Sequence, residues 1–287
     1  MIHTAQAAKN RVILITGATE GLGKQVARDL AAQGATILLH GRSRKKGEAT
    51  LEEIRHATGN QKLIYYNADF SSLDAVRRLA EKIEGDQARI DVLINNAGIG
   101  AGLRQARREV SRDGYELRFA VNYLASFLLT HRLLPLISRS TPSRVVNVAS
   151  VGQQPIDFDN VMLEDGYDGL RAYRQSKLAL IMFTFDLAEA LSKSGVTVNS
   201  LHPASLMNTR MVFESDYFRG TMSTVEEGAD AVEYLAISPE LDGVTGEYFD
   251  GERRARANPQ AYDKVARRRL RVLSEQLTRL REPGDFV

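Results

Sequence analysis

Tyr173 and Lys177 stand four residues apart in AYRQSKLALIMFTF (172–185), a spacing that puts a phenol and an ammonium on one face of a helix. The surrounding stretch reads as a buried helix with Leu178, Ile181, Met182 and Phe185 along its apolar stripe, and the pair falls in its first turn. The chemistry open to such a pair is proton transfer. A free phenol, with a pKa of about 10, is a useless base near neutrality. A fixed cation beside it favours the phenolate and brings the working pKa toward the operating pH. Taken alone, the spacing reads first as a surface pair at a helix start, so the elements that would surround it must decide.

A second constellation lies near the amino end. TGATEGLG (16–23) follows an apolar strand-like run and opens a helix. Gly17, Gly21 and Gly23 then fall where backbone must approach a pyrophosphate closely, with Thr19 and Leu22 in the same turn. The helix start supplies free N–H groups and partial positive charge to the phosphates. In this arrangement the residue ending the second strand meets the adenosine ribose. That place holds Arg42, 19 residues after Gly23, with Lys45 and Lys46 close behind. A cation there suits the 2′-phosphate of NADP(H), where an acid would suit NAD. Glu20, inside the glycine turn, argues the other way because it would repel that phosphate. Asp69, ending the third strand region, and Phe70 beside it are candidates for the adenine edge, although an N-cap beside Ser71 fits Asp69 as well.

The elements that must carry these residues alternate. Apolar strands are expected at 11–17, 35–41, 62–69, 90–98, 143–150, 196–203 and 246–249, and helices at 21–34, 44–59, 72–85, 115–137, 170–194 and 224–237. Continuous apolar strands between amphipathic helices predict an α/β fold, a doubly wound, Rossmann-type parallel sheet with helices on both faces. A last helix over 258–281 is expected to open at Asn258 with Pro259 in its first turn, its stripe formed by Val265, Leu270, Leu273, Leu277 and Leu280. Residues 1–10 read as a flexible tail and 11–287 as one domain, without repeats or linkers.

Composition narrows the function classes. The 287 residues carry 38 basic and 36 acidic side chains, so no global field recruits nucleic acid or membrane. The basic clusters at 104–109 and 266–272 sit in helical patterns with apolar neighbours and read as solvated faces or subunit contacts; nucleic-acid binding would want aromatic platforms. There are no cysteines, which excludes disulfides, thiolate catalysis and cysteine-ligated metal. No window reaches the roughly 18 uninterrupted apolar residues of a membrane span, and the start has no signal-peptide core. A cytoplasmic protein is the expectation.

Five motifs then appear in order: TGATEGLG (16–23), NNAG (95–98), Asn122 in AVNYLASF, Ser150 in VVNVAS, and Tyr173 with Lys177. With EEGADAVEYLAISPELDGVTGEYF (226–249) and SEQLTRL (274–280), the chain resembles the short-chain dehydrogenases/reductases, and within them the retinol dehydrogenase-like branch. The resemblance implies an NADP(H)-dependent oxidoreductase that interconverts a carbonyl and an alcohol on a small molecule. Tyr173 would be the general acid/base, Lys177 would tune it and bind the nicotinamide ribose, and Ser150 would hold the substrate oxygen. Asn122 would fix a water leading to Lys177. Asn95, Ala97 and Gly98 would line the adenosine and ribose side of the cofactor, and Pro203 would follow the sixth strand beside it. It also implies a substrate flap near 205–223 and a possible homo-oligomer through helices 115–137 and 170–194.

The chain departs from the family in two places. Ser150 and Tyr173 are 23 residues apart, longer than is usual in much of the family. The inserted loop is acidic (Asp157, Asp159, Glu164, Asp165, Asp168) without calcium-loop spacing, and reads as solvated loop acids in a wall of the substrate cleft. After Pro203, Ala204 replaces the usual glycine and Thr209 sits one position late, which puts a contact with the nicotinamide carboxamide in question. Met207, Met211, Val212, Phe213, Tyr217 and Phe218 suggest an apolar substrate, or equally the packing of that segment. A Rossmann protein that only senses the redox state of NADP(H) is the alternative to an enzyme; such sensors usually lose the Tyr or the Lys.

Overall fold

The computed structural model describes residues 7–280. Eight strands form one sheet: β1 (Val12–Ile15), β2 (Thr36–Gly41), β3 (Leu63–Asn67), β4 (Val92–Asn95), β5 (Ser143–Val148), β6 (Val196–His202), β7 (Tyr248–Asp250) and β8 (Arg253–Ala255). Their order is β3-β2-β1-β4-β5-β6-β7-β8, parallel throughout except for the last pair. Strand order therefore reverses between β1 and β4, and a ligand crevice opens at the carboxyl ends of strands flanking such a reversal. The strands are apolar runs because helices cover both faces. One core cluster packs β1, β4 and β5 against the helix sides carrying Leu79, Leu128 and Ile181, and the other joins Ile13, Ile37 and Ile94 to Leu30 and Val232.

The helices are α1 (Gly21–Ala32), α2 (Arg44–Thr58), α3 (Leu73–Asp86), α4 (Leu117–Arg139), α5 (Gly169–Ala190), α6 (Arg210–Phe213), α7 (Val225–Ile237) and α8 (Lys264–Thr278). Several boundaries differ from expectation for identifiable reasons. Helix α4 starts at Leu117 because the Glu116 carboxylate accepts from Phe119 N at 2.7 Å, and it widens into a π turn over Ala120–Leu124. It is long and apolar enough to cross a membrane, although Arg118, Asn122, His131 and Arg132 interrupt it and no uninterrupted run of about 18 apolar residues occurs. Its apolar window is 78% buried inside the protein, as in a core helix. Helix α5 starts one residue early, where Asp168 caps Arg171 N at 2.7 Å, so Tyr173 and Lys177 sit in its second and third turns rather than its first. Residues 104–109 form a loop, not a helix.

Strand β8 was not foreseen. Asp250 pairs with Arg253 across a two-residue turn led by Gly251 at φ 59°, the position such a hairpin reserves for glycine. At the other end, residues 7–10 form a turn with Ala8 fully buried, so this part of the expected tail is packed; the rest of the tail, residues 1–6, lies outside the described residues.

The end of the chain is the largest correction. Asn258 and Pro259 open a short 3-10 turn (Pro259–Tyr262), not the helix. Helix α8 begins at Lys264, where Asp263 accepts from Val265 N and Ala266 N. Its buried line is Ala266, Leu270, Ser274 and Thr278, and Val265 is 77% exposed. The expected stripe holds at Leu270, Leu277 and Leu280, which pack on the core, but it missed two hydroxyls in the contact line that satisfy themselves: Ser274 donates to Leu270 O and lies 2.6 Å from the Tyr123 hydroxyl, and Thr278 donates to Ser274 O. This helix packs on α5 and on the π turn of α4, so it covers part of the surface through which self-association was expected.

The face of α8 can be tested by truncation. Leu270→Ala should cost about 2–5 kcal/mol of unfolding free energy, and Val265→Ala should stay within about 0.5 kcal/mol of the parent. Chemical denaturation of the two variants reads the difference; equal losses would mean that α8 sits on another face.

Candidate active site

The glycine turn occupies the crevice between β1 and β4. Gly17 and Gly21 adopt φ of 66° and 55°, a left-handed conformation that L side chains rarely adopt. Gly23 is required for space: a Cβ there would come within 3.0 Å of both the Asn96 amide nitrogen and the Gly17 carbonyl oxygen. Asn96 Nδ2 donates to Thr16 O at 2.8 Å and to Gly17 O at 3.1 Å, and the Thr16 hydroxyl accepts from Asn96 N and Ala97 N, both at 2.9 Å. The turns after β1 and β4 are thus one bonded unit. His40 supports it from behind. Its Nδ1 accepts from Gly17 N at 3.4 Å and its Nε2–H donates to Ala68 O at 3.1 Å, and burial pushes the imidazole down to about 4, so the ring is neutral.

Helix α1 begins at this turn without a side-chain cap on its first N–H groups: its N-cap residue, Glu20, turns its carboxylate to Lys46 Nζ at 2.8 Å. Glu20 is accordingly held below its ordinary value, mainly by that bond, with Arg210 and Arg42 adding attraction. The repulsion expected of Glu20 is therefore offset by a lysine, and Lys46 is committed to it. Arg42 is exposed at the end of β2. Uncapped helix N–H groups, a cradle that a Cβ would fill and an exposed guanidinium at the neighbouring strand end fit a dinucleotide phosphate chain.

Other expected cofactor residues fall differently. Ala97 packs on Gly17, and Gly98 leaves room for the Asn122 and Lys177 side chains. Asn95, by contrast, is buried at the carboxyl end of the central strand β4, donating to Thr130 Oγ1 at 2.9 Å and Asn147 Oδ1 at 2.8 Å. It belongs to a polar line across the core that continues from Asn147 to Thr184 at 2.9 Å, and the crevice contact passes to Asn96. Leu22 is buried against α7, and Thr19 lies over Gly41. Phe70 is buried and stacked on His40 at 4.3 Å. Asp69 accepts from Ser71 N at 3.0 Å; the residue that caps α3 is Ser72. Pro203 is buried just after β6.

The four chemical residues converge. Ser150, just after β5, is 8% exposed; its hydroxyl accepts from Gly152 N at 3.0 Å and stands close enough to the Tyr173 phenol to oppose the rise that burial causes there. Lys177 is 4% exposed, and its ammonium donates to Val148 O at 2.8 Å and lies 5.8 Å from the centre of the Tyr173 ring. Asn122, in the π turn, is fully buried: its Oδ1 accepts from Ile99 N at 2.8 Å, and its Nδ2 donates to Ile99 O and Ser176 Oγ. The Asn122 side chain thus fixes the loop after β4.

The expected direction of the phenol's shift is reversed. Burial pushes Tyr173 above its ordinary value, and the Ser150 hydrogen bond only partly opposes it. The ammonium that was expected to lower it bonds to a carbonyl and faces the ring, and burial brings Lys177 down to about 8. Thr209, the displaced threonine, lies over Gly21, so the flap crosses the glycine turn. Met207 packs against Gly228, whereas Met211, Phe213, Phe218 and Met222 are exposed. Arg104 holds Asp216 (2.7 Å from the Arg104 amide), and the Tyr217 hydroxyl donates to Asp168 at 2.9 Å. Of the inserted-loop acids, Asp157 pairs with Arg171 and Asp159, itself largely exposed, with Arg269 of α8, each at 2.8 Å. No metal-holding cluster occurs among the described residues.

Residues 11–217 match the family model described as short chain dehydrogenase. Among curated proteins the chain is similar to retinol dehydrogenase 13 of Homo sapiens, 37% identical over 96% of this chain and 86% of that one. Among solved structures it is similar to an uncharacterised protein from Mycobacterium paratuberculosis, with a TM-score of 0.77 and 30% identity over 96% of this chain and 97% of that one. It is also similar to a short chain dehydrogenase from Escherichia coli CFT073 complexed with NADPH, with a TM-score of 0.71 and 26% identity over 86% and 99% of the two chains.

Gly23→Ala should weaken binding of a nicotinamide dinucleotide by about tenfold or more, a loss of about 1.4 kcal/mol, because Asn96 or Gly17 must give way. Gly85→Ala, in α3 with no atom in reach of the new methyl, should leave binding unchanged. Fluorescence titration of NADPH against both variants measures this, and equal affinity in the two would contradict the cradle.

Proposed function

This chain belongs to the short chain dehydrogenase family, in its retinol dehydrogenase-like branch, and is an oxidoreductase; from that premise we propose that it uses NADP(H) to interconvert a carbonyl and an alcohol on an apolar small molecule. The observation that carries the proposal is the convergence of Ser150, Lys177 and Tyr173 in one buried place, with the Lys177 ammonium 5.8 Å from the centre of the Tyr173 ring.

The nicotinamide cofactor, when bound, supplies or accepts the hydride. Gly17, Gly21, Gly23 and the open start of α1 would hold its phosphates, and Arg42 its 2′-phosphate. In the reducing direction the Tyr173 hydroxyl gives its proton to the carbonyl oxygen while the Ser150 hydroxyl holds that oxygen as negative charge gathers on it. Burial keeps Tyr173 protonated through neutral pH, the state an acid needs before reaction. The phenolate left behind is what the Lys177 ammonium stabilises, so the cation matters after proton transfer more than before it. An apolar substrate is suggested by Met211, Phe213, Phe218 and Met222 on the exposed flap.

Stopped assays with NADPH and a panel of apolar aldehydes and ketones test the reading. Tyr173→Phe should remove turnover and retain NADPH binding; a wild type that binds NADPH and reduces nothing would instead mark a redox sensor. In the free enzyme Lys177 is charged below about 8 and neutral above it, so kcat/KM for reduction should fall as pH rises through that value. Cofactor choice is tested separately. Arg42→Ala should lower the ratio of kcat/KM for NADPH over NADH by about tenfold or more, the worth of a charge-assisted hydrogen bond, and an unmoved ratio would exclude Arg42 from the 2′-phosphate site.

A further inference from the structure

Arg118 is 3% exposed in the first turn of α4, a costly place for a cation. Its guanidinium is engaged in three directions. Nε donates to Gly100 O at 2.9 Å, Nη2 to Ala101 O at 2.8 Å and Nη1 to the Tyr167 hydroxyl at 2.7 Å. The buried Glu116 carboxylate lies 3.5 Å away and accepts from Tyr167 at 3.4 Å while capping α4 through Phe119 N. Gly100 and Ala101 belong to the loop that runs from the β4 turn along the cleft, and Tyr167 closes the long loop between Ser150 and Tyr173.

The surroundings are shaped to this contact. A Cβ on Gly102 (φ 76°) would come within 3.0 Å of Arg118 Nη2, and one on Gly169 would come within 3.0 Å of Ala101 O. Gly100 in turn takes Met211 of the flap, where a Cβ would also meet the methionine within 3.0 Å. Asp168, next to Tyr167, caps the helix that carries Tyr173 and Lys177 and accepts from Tyr217 of the flap. Four segments that border the reacting groups therefore meet at one arginine: the loop after β4, the start of α4, the end of the inserted loop and, through Gly100 and Asp168, the flap.

We propose that Arg118 is a positioning residue for the substrate side of the cleft, fixing the Gly100 and Ala101 carbonyls to the loop that joins Ser150 to Tyr173. The proposal rests on the carbonyl-reductase reading above for its kinetic consequence and on geometry alone for its structural one. A planar fork reaches three acceptors from three separate nitrogens, a spread that the single nitrogen of a lysine ammonium cannot span. The guanidinium itself does not touch the glycine turn, so its loss should act on the substrate side first and leave the turn's hold on the cofactor in place.

The test uses Arg118→Met, Arg118→Lys and the milder Tyr167→Phe, which removes only the Nη1 partner. Each is read by steady-state kinetics normalised to NADPH-binding sites and by hydrogen exchange of backbone amides. Arg118→Met should raise KM for the carbonyl substrate by about tenfold, the scale on which misplacement of positioning groups acts, with the Kd for NADPH unchanged, and Tyr167→Phe should raise KM in the same direction. Exchange should accelerate in 99–103 and 165–169 and remain as in the parent in β5 and α7. Arg118→Lys should stay defective in KM. Full rescue by lysine, or a loss of exchange protection spread evenly over the molecule with KM unmoved, would reduce Arg118 to a general stabilising charge and overturn the proposal. If Arg118→Met does not fold, Arg118→Lys and Tyr167→Phe carry the same comparison. If the wild type reduces no carbonyl, the functional reading fails on its own, and the exchange pattern alone decides whether Arg118 anchors the two loops.

Discussion

The side-chain amide of Asn96 donates to two carbonyls of the glycine turn, and the Thr16 hydroxyl returns the contact by accepting from Asn96 N and Ala97 N. These four bonds lie where the strand order reverses, and they make the ends of β1 and β4 a single rigid rim. The rim has no tolerance for a larger residue at position 23, because the amide already stands in the space a methyl would take. A turn this tight leaves the start of α1 without a side-chain cap, so the same steric constraint that packs α1 on the sheet leaves a place for phosphate. On the far side of β4 the rim continues into Gly98, whose missing side chain lets Lys177 and Asn122 come up to the backbone. The glycine turn and the Tyr173–Lys177 pair are thereby reached from two sides of one backbone junction.

The second physical question is what the buried ammonium does. A cation four residues from a phenol suggests at once that it lowers the phenol's affinity for its proton. In the folded protein desolvation acts on both groups in opposite senses, pushing the tyrosine up and the lysine down. The pair therefore rests as a neutral phenol beside a weakly held ammonium bonded to Val148 O. Such a resting state suits an acid. It favours the charged phenolate only once charge appears there, and that is when stabilisation accelerates a reaction instead of merely holding the ground state. The Ser150 hydrogen bond works in the same direction, opposing the rise that burial causes.

Much of this was legible in the sequence, and the misses share a cause. Glycine positions could be read because they report on backbone, and backbone conformation depends on local residue type. The NNAG turn showed that polar groups were present but not which one faces the crevice; Asn95 ends a strand, its side chain points into the core, and the next residue turns outward. The line of Asn95, Asn147, Thr130 and Thr184 has no sequence signature because its members come from four elements. Helix α8 misled for a related reason. Apolar periodicity assumes that buried means hydrophobic, and here Ser274 and Thr278 are buried with their hydroxyls bonded to the preceding turn. Arg118 was unremarkable in the sequence because an arginine's burial depends on acceptors supplied from distant segments.

The family pattern ends at residue 217, yet the serine of the candidate site is held from beyond it. Ser150 O accepts from Gln153 Nε2 at 3.0 Å and from the Tyr248 hydroxyl at 3.1 Å. Gln153 Oε1 in turn accepts from Asn258 N at 2.6 Å. Gln260 forms two bonds to the Ile156 backbone, and Arg269 reaches Asp159 while lying over the Phe158 ring. A long loop between Ser150 and Tyr173 carries its own conformational entropy, and strand β5 alone fixes only one end of it. The segment from Tyr248 to Arg269 restrains the first half of that loop, and Arg118 restrains the second through Tyr167. The loop is therefore long without being free, because the chain that follows the family pattern supplies the contacts that a shorter connection would not need.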